Sequence, residues 1–393
     1  MKTNRIDIID SLRGLSLFGI LLTHCVTQFF GVMPEENREI LNHNILDSFF
    51  TYSISLFLGA KFFLVFAFLF GVSFWIQVEN NKDRLKKFNV YFIKRMVVLI
   101  FFGMLNYCFF QGDILMVYGA LSVSLLFIQN MKTDKILLLA VFLLSGLPRF
   151  SIYSYQLIFG DVESFALGLN PDPVFMSNFV AATTYSFIDI VKLNFENWSK
   201  MISIFQLGYF GRSYQVVGCF LLGVVTHRGN FFSSLIDSSY LKEKLFIRSI
   251  ITIVLSLCLL IYLYTLNSSL DFTSFSGIIM VTIYDWFNIS FTIVLVLLFV
   301  GYSKNLKLKI FYDLLKWPGR MSLSVYVMQS VFFTAFYFNW GLNMFNAHGA
   351  TVSVLIAILF FGGQCLFSFY WLQYFKQGPL EAIWKKLAFY GSI

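Results

Sequence analysis

Long apolar stretches, interrupted by short polar segments, dominate the pattern of hydrophobic and polar positions along the chain. A helix needs roughly 20 apolar residues to cross about 30 Å of hydrocarbon, and its backbone polar groups are then satisfied internally. The pattern predicts an all-α, polytopic membrane helix bundle with about ten transmembrane helices. The predicted spans are 8–31, 52–78, 92–111, 113–130, 136–153, 205–226, 247–266, 276–301, 321–340 and 350–375.

The basic residues set the expected orientation of this bundle. When the spans alternate from an internal N-terminus, the segments NNKDRLKK, MKTDK, KNLKLK and WKK all fall on the same side. The segments on the other side, MPEENREIL, LNSSLDFTS and GLNMFNAHG, carry few or no basic residues. The positive-inside rule therefore predicts two cytoplasmic termini in a multi-pass protein of the cell (inner or plasma) membrane.

Composition supports this class and argues against others. Hydrophobic types make up 58% of the 393 residues. The 50 phenylalanines and 20 tyrosines are more aromatic residues than the core of a single soluble domain can bury. The net charge of +8 follows from the basic loops, and no basic-aromatic tract stands apart from the spans, so no nucleic-acid partner is expected. The five cysteines lie in apolar runs without ligand spacing, and we interpret them as small hydrophobic residues.

One membrane domain, residues 1–393, is the expected organisation. It comprises N-terminal helices (1–150), an external segment (154–200) able to form a re-entrant or interfacial cap, and a C-terminal region (201–393). The charged start lacks an obvious small-residue cleavage site, so an uncleaved first helix is expected. Walker, GxSxG and HExxH patterns are absent, and the remaining histidines are scattered, so no metal site is expected.

Two ionisable residues lie within the first span. Arg13 and His24 bound an otherwise apolar run, RGLSLFGILLTH, in a chain with only four histidines. Eleven residues advance about 16 Å along a helix through roughly three turns, so both side chains share one face. Ionisable groups at membrane depth usually face the bundle interior or a water-filled path, which makes this pair a candidate for chemistry. Alternatively, His24 bonds to a neighbouring helix and Arg13 extends to the headgroups.

Several segments resemble known families. Asp10, Leu12, Arg13 and Gly14, followed by His24, resemble the first helix of the acyltransferase-3 membrane family, whose members move acyl groups, commonly acetyl, from a cytoplasmic thioester to sugars or other acceptors. The rest of the chain is similar to the YeiB-like family of uncharacterised membrane proteins, placed in the same transmembrane acyltransferase superfamily. The segments that carry this similarity are KFFLVFAFLFGVSF, GDILMVYGA, GRSYQVVGCFLLGVVTHRG, WPGRMSLSVYVMQSVFF and GPLEAIWKKLAFYG.

The resemblance implies an acyl-CoA donor, expected to be acetyl-CoA. Its anionic head is expected to bind cations at the cytoplasmic edge, with the thioester beside His24 in one continuous cavity. The candidate cations are Arg13, Lys94, Arg95 and Arg320, since a guanidinium fork binds two phosphate oxygens at once. Lys94, Arg95 and Arg320 also fit a purely topological role as positive-inside flanks.

Catalysis is expected to centre on His24. It would act as general base on an acceptor hydroxyl or amine, or carry the acyl group itself. Asn106 and Asp113 are the nearest polar candidates to orient its ring. In YeiB-like proteins, asparagine often occupies the position of His24 and histidine that of Asn106, so this chain is closer to acyltransferase-3 in its first helix.

Three further intramembrane charges are candidates for substrate binding. Lys61 and Asp285 are predicted at similar depth, where they form either a structural ion pair or part of a substrate site. Arg212, near the outer part of the sixth span, is a candidate for an anionic group of the acceptor.

The ninth span carries a polar stripe. Ser322, Tyr326, Gln329 and Ser330 follow one another at three- and four-residue spacing and therefore face the bundle. Packing hydrogen bonds between helices account for such a stripe, and Tyr326 and Gln329 are also candidates for substrate contact.

These features together predict a membrane acyltransferase whose acceptor is an exported or outer-leaflet glycan, lipid or peptide, with the bilayer and the acyl donor as its other partners. The main alternative is a transporter or exporter, because intramembrane charges line such paths equally well. No inverted repeat supports that alternative. A scaffold without chemistry would leave Arg13 and His24 unexplained.

Overall fold

The computed structural model describes residues 7–30, 37, 39–159, 172–207, 211–230, 239–266, 274–303 and 305–389. These residues form helices and connecting turns, without strands. The α-helices are α1 (Asp7–Cys25), α2 (Ile45–Phe57), α3 (Phe62–Asn80), α4 (Leu85–Tyr107), α5 (Leu115–Leu121), α6 (Ser124–Phe127), α7 (Thr133–Leu144), α8 (Leu147–Phe159), α9 (Asp172–Thr184), α10 (Phe187–Glu196), α11 (Trp198–Ile202), α12 (Arg212–Arg228), α13 (Ser239–Leu266), α14 (Phe275–Gly301), α15 (Lys309–Arg320), α16 (Ser322–Tyr337), α17 (Ala350–Tyr374) and α18 (Pro379–Phe389).

Six stretches of the described chain are long and apolar enough to cross a membrane, or seven if the bent pair α7 and α8 forms one span. The six stretches are Asp7–Cys25, Ile45–Asn80, Lys82–Tyr107, Tyr240–Leu266, Phe275–Gly301 and Ala350–Tyr374. For the described residues, this confirms the all-helical class, and the apolar spans support a membrane protein. The count of about ten stays a prediction, because it depends on shorter segments such as Leu115–Phe127 and Ser322–Tyr337.

Many large apolar side chains lie on the outside of the bundle. Leu138, Ile158, Ile261 and Leu359 are each more than 60% exposed. A soluble protein rarely shows so much apolar surface, whereas lipid covers it without cost. α13 is the extreme case, with only 11% of its most apolar 18-residue window buried.

Glycines allow the closest helix crossings in the bundle. A Cβ on Gly71 of α3 would overlap the Phe220 carbonyl oxygen of α12, and a Cβ on Gly223 would overlap the Phe68 carbonyl. Small residues at such crossings let helix backbones approach closely, which is a main source of packing energy in membranes. The α3–α12 contact therefore depends on the absence of side chains at these two positions.

We expect Gly71→Ala to lower the free energy of unfolding by about 1–3 kcal/mol, because the added methyl group forces two backbones apart. Gly363 of α17 is the matched control, since a Cβ there would meet nothing within 4 Å. Gly363→Ala should leave the stability unchanged or slightly raised. Thermal unfolding of both variants in detergent measures the difference, and equal melting temperatures would contradict the steric explanation.

A second glycine crossing joins α1 to α15. A Cβ on Gly14 would overlap the Leu315 carbonyl oxygen, and a Cβ on Gly319 would overlap the Asp10 carbonyl. The glycines of the LRG and PGR segments thus hold α1 against α15 and fix the position of Arg13 between them and α3.

For reference, we call the end of the bundle where α1 begins the lower end and the opposite end the upper end. α18 packs against α4 and the start of α16 at the lower end. Helices α9, α10 and α11 lie in the segment predicted as an external cap, of which residues 160–171 are outside the described chain. They pack near the end of α4, at the upper end.

Candidate functional site

A cavity of about 230 Å³ opens among α1, α3, α4, α5, α16 and α18. We call it the lower cavity. Its polar lining residues are Arg13, Ser73, Gln77, Arg95, Ser322 and Tyr326. Its other aromatic lining residues are Phe63, Phe66, Phe70, Phe74, Phe92, Tyr118 and Trp384. The lining therefore combines cationic and amide groups with a mostly aromatic wall.

Two guanidinium groups in this lining are held by neighbouring side chains. Arg13 pairs with the buried carboxylate of Asp10 at 2.7 Å and donates to the Ser73 hydroxyl. Arg95 donates to the side-chain amide oxygen (Oε1) of Gln77 at 2.6 Å. Ser73 and Gln77 are one turn apart on α3, so this helix orients both guanidinium groups toward the same cavity.

The other two predicted cations do not line the lower cavity. Lys94 precedes Arg95 on α4, and adjacent residues on a helix point about 100° apart. The Arg320 guanidinium lies 5.4 Å from the centre of the Trp317 ring on its own helix. Only Arg13 and Arg95 of the four predicted head-binding cations are thus brought together.

The C-terminal helix α18 closes the lower cavity, which the sequence did not indicate. The Trp384 ring stacks 4.1 Å from the Arg95 guanidinium, and its indole N–H donates to the Arg95 carbonyl at 2.6 Å. The Glu381 carboxylate accepts from the backbone N–H groups of Leu323 and Ser324 at the start of α16, at 2.8 and 3.2 Å. Helix starts have unsatisfied N–H groups and favour an anion, so Glu381 caps α16 from a distant part of the chain.

Burial raises the pKa of Glu381 above its usual 4.5, with hydrogen bonds from Ser324 opposing the shift. The folded protein then keeps this proton at pH values where the unfolded chain has lost it. We expect the free energy of unfolding to fall as pH rises from about 4.5 through the raised pKa, and this component to be absent in Glu381→Gln. Melting temperatures between about pH 4 and pH 8 test this, and parallel curves for both proteins would contradict it.

A second cavity, of about 110 Å³, lies toward the upper end and contains His24. We call it the upper cavity. Its polar lining residues are His24, Gln111, Asp113, Asn178, Gln206 and Arg212. Its aromatic lining includes Phe30, Tyr107, Phe175, Trp198 and Phe205. The predicted external cap contributes Phe175, Asn178 and Trp198, so it covers this cavity.

The His24 ring packs between aromatic rings. Its centre lies 4.8 Å from that of Phe110, edge to face, and 5.4 Å from that of Phe29. Asn106 and Asp113 instead bond to each other, with the amide donating to the carboxylate at 2.8 Å. Asp113 shares the cavity with His24, but the expected hydrogen bond that would orient the imidazole is not among the contacts of the described residues.

Arg212 lies in the upper cavity, as a residue that binds an acceptor would. Its guanidinium is 4.8 Å from the Phe205 ring centre and 5.6 Å from that of Phe63, which lines the lower cavity. Guanidinium groups over aromatic faces gain cation–π attraction that increases away from water.

An amide network that sequence reasoning missed borders the upper cavity. Gln111 donates to Asn178 at 3.0 Å and to Asn194 at 2.7 Å, and Asn178 donates back to Gln111 at 2.6 Å. The asparagines belong to α9 and α10, so the network ties the cap to the end of α4. Asn178 and Asn194 are isolated asparagines in the external segment, and no sequence motif marks them.

Arg13 and His24 do share one face of α1, but they open into different cavities. The expectation of one continuous cavity is therefore wrong for this structure. Ile114 is the lining residue common to both cavities, so it lies at the boundary between them. Ile114 directly follows Asp113 and precedes α5. A hydropathy pattern does not show that this residue lies between the two cavities.

The predicted ion pair between Lys61 and Asp285 is also wrong. Asp285 pairs with the fully buried Arg149 at 2.6 Å, and Arg149 also donates to Thr282 at 2.9 Å. Lys61 donates to the Leu56 carbonyl at 2.6 Å, where α2 ends. Lys61 is fully buried and Asp285 is partly buried, and each has a partner that the sequence pattern did not indicate.

Aromatic rings surround the Lys61 ammonium group. It lies 5.0 to 5.9 Å from the centres of the rings of Tyr284, Phe287 and Phe291 on α14. Lys61 thus closes the break between α2 and α3 and packs against α14, and it reaches neither cavity.

The polar stripe of α16 divides into two parts. Ser322 and Tyr326 line the lower cavity. Gln329 donates to Gln364 of α17 at 2.9 Å, and Ser330 accepts from Asn106 at 3.3 Å. The packing interpretation therefore holds for the upper half of the stripe, and the substrate-contact interpretation stays a prediction for Tyr326.

The remaining histidines have local partners. His43 lies 2.8 Å from Asn346, and His227 forms a 3.0 Å pair with Glu79. No group of three or more His, Cys, Asp or Glu side chains suited to a metal ion occurs among the described residues.

The long apolar helices define a polytopic helical membrane protein, and comparisons with known proteins find the following similarities. Residues 228–391 match the family described as "Protein of unknown function (DUF418)". The chain is 24% identical to "Uncharacterized protein YxaH" of Bacillus subtilis (strain 168), covering 99% of this chain and 95% of that protein. It is 25% identical to "Uncharacterized 39.9 kDa protein in amylase 3'region" of Bacillus acidopullulyticus, over 98% and 94% of the two chains.

A shorter match supports the similarity to YeiB-like proteins. "Uncharacterized protein YeiB" of Escherichia coli (strain K12) is 35% identical over 69 residues, which are 18% of this chain and 17% of that protein. No solved structure gives a significant match.

Proposed function

We propose that this protein is a membrane-embedded acyltransferase that moves an acyl group, expected to be acetyl, from a cytoplasmic acyl-CoA to a hydroxyl or amine of an exported or outer-leaflet acceptor. The observation that carries the proposal is the stacking of two cavities along α1, one lined by Arg13 and Arg95 and the other by His24. The proposal uses the topology with about ten spans and cytoplasmic termini, which places the lower cavity inside and the upper cavity outside.

The lower cavity is the proposed donor site. Two guanidinium groups suit the phosphates of a nucleotide head, because each can donate two hydrogen bonds to one phosphate. The rings of Phe63, Phe66 and Phe70 above them suit a flexible, weakly polar pantetheine arm. Five segments that carry the family resemblance contribute to one or both cavities, through residues such as Ser73, Tyr118 and Trp384.

The upper cavity is the proposed acceptor site. His24 removes the proton of the acceptor hydroxyl or amine as that atom attacks the thioester carbonyl. The C–S bond then breaks, and the thiolate of coenzyme A leaves and takes up the proton. Alternatively, His24 attacks first and passes the acyl group on, which gives the same overall balance.

Arg212 is the proposed contact for an anionic group of the acceptor, since it lines the same cavity. Lys61, Asp285 and Gln329 are better explained by the packing contacts described above. For transfer, the donor arm has to pass Ile114, so the proposal requires that this partition opens during turnover.

We expect Arg95→Gln to weaken acetyl-CoA binding by about tenfold, because one charge-assisted contact to phosphate contributes about 1.5–3 kcal/mol. Lys94→Gln is the matched control, since it removes a neighbouring charge that does not line the cavity. Equilibrium binding of labelled acetyl-CoA to purified protein in detergent measures both. Equal affinities for the two variants, or no binding to the unaltered protein, would argue against the donor site.

An exporter of a small molecule is the second candidate. The observation that favours it is the presence of two stacked cavities rather than one, because transporters give access to a central site from each side in turn. Flux through proteoliposomes without consumption of acyl-CoA would establish transport, whereas hydrolysis or transfer of the acyl group would establish catalysis.

A further inference from the structure

Ile114 lies where the lower and upper cavities meet. Of the described residues that line them, it is the one that both cavities share. Its neighbours on α5 divide between the two levels: Leu115 and Tyr118 face the lower cavity, and Met116 and Val117 face the upper cavity. At this point the two cavities therefore border the same side chain.

The backbone beside Ile114 is firmly held. The carboxylate of Asp113 accepts from the Met116 N–H at 3.1 Å and from the Asn106 amide at 2.8 Å. Asn106 also donates to Ser330, so α4, α5 and α16 meet at this point. With the start of α5 fixed by buried polar contacts, the width of a passage beside Ile114 depends on the side chain at position 114. The Arg212 guanidinium, 5.6 Å from the Phe63 ring centre, also joins the two linings.

We propose that Ile114 is the specificity-determining residue of the transfer, whose size sets how wide a molecule can pass from the lower to the upper cavity. An unbranched arm with a small acyl group would pass when the side chain changes rotamer, whereas a long or branched acyl group would be retained. This inference rests on the proposed function for its substrate, but the partition itself can be tested without any substrate.

The first test measures water access with a thiol probe. Met116→Cys, in a background whose five native cysteines are replaced by serine, places a thiol in the upper cavity. A membrane-impermeant thiol reagent is added to vesicles from each side in turn. With Ile114 present, we expect labelling from the upper side and little from the lower side.

Ile114→Ala should raise the rate of labelling from the lower side by about tenfold, because thiol reactivity depends on solvent access. Leu115→Ala is the matched control, since it enlarges only the lower cavity and should change this rate less than about twofold. Equal rates in the two variants would overturn the inference. If Ile114→Ala fails to give a monodisperse protein, Ile114→Val replaces it, with a smaller increase expected and the same comparison deciding.

The second test compares acyl donors. The rate with hexanoyl-CoA relative to acetyl-CoA should rise in Ile114→Ala and stay unchanged in Leu121→Ala, because Leu121 lies on the same helix and lines neither cavity. An unchanged ratio in both, despite increased labelling, would show that Ile114 separates the cavities without selecting the acyl group and would overturn the specificity role. Absence of turnover with every donor would refute the proposed function, and the labelling comparison would still decide whether Ile114 is the partition.

Discussion

Arg149→Leu should lower the free energy of unfolding by about 3–5 kcal/mol, the usual effect of removing one partner of a buried ion pair. Arg149 is the largest fully buried side chain in the described part of the protein, and its guanidinium lies 2.6 Å from Asp285. Without it, the carboxylate of Asp285 stays buried with its main counter-charge removed. Thermal unfolding in detergent, monitored by intrinsic fluorescence, gives the comparison.

Two controls separate charge from packing. The double variant Arg149→Leu with Asp285→Leu should recover most of the loss, because replacing a buried pair by apolar residues is often neutral. Lys192→Leu breaks an exposed pair with Asp189, and no measurable change is expected there. A double variant as unstable as the single one would show that Arg149 acts through its volume and its contact with Thr282.

Hydropathy predicted the long spans correctly because a helix that faces lipid must be apolar along its length, and this shows directly in its composition. It did not reveal where spans break. The predicted span 52–78 contains the α2–α3 junction, where Ala60 has a positive φ of 58°. The predicted span 136–153 contains Gly146, with a φ of 88°, between two helices bent by 58°. Both breaks lie inside stretches apolar enough to be predicted as single spans, although Lys61 directly follows the first break and Pro148 and Arg149 follow the second.

Pairing between helices was the least predictable feature. Lys61 and Asp285 were matched by depth, but depth says nothing about the direction in which a side chain points. Asp285 contacts Arg149 instead. Arg149 lies near the end of the predicted span 136–153, where the sequence pattern did not mark it as a partner. Partner choice depends on the rotation of each helix, which packing at positions such as Gly71 decides.

The candidate site was predicted only in part, because a sequence pattern shows which face of a helix a residue lies on but not which other helix it meets. Helical periodicity places Arg13 and His24 on one stripe, and both line cavities as expected. Periodicity within one helix cannot show what fills the space beside it, and Ile114 lies at the boundary between the two levels. Trp384 and Glu381 are brought to the site by long-range contacts, which only the folded chain reveals.

The other large effect concerns His24. We expect His24→Ala to lower the rate of acyl transfer by about 10²- to 10⁴-fold, the usual contribution of a general base, while acetyl-CoA affinity stays within about twofold. The rate and the affinity are expected to respond differently because His24 lines the upper cavity, whereas Arg13 and Arg95 line the lower one. Release of free coenzyme A in the presence of an acceptor measures the rate, and equilibrium binding of labelled acetyl-CoA measures the affinity.

His43→Ala is the matched control, because His43 contacts Asn346 outside both cavities and should retain full activity. Protein incubated with labelled donor and no acceptor distinguishes the two chemical routes. Label that stays on the unaltered protein and is absent from His24→Ala indicates an acyl-histidine, whereas loss of turnover without any label indicates a general base. Equal rates in His24→Ala and His43→Ala would remove His24 from the mechanism and leave the charges of the upper cavity, Arg212 and Asp113, as the groups on which an acceptor or a transported molecule binds.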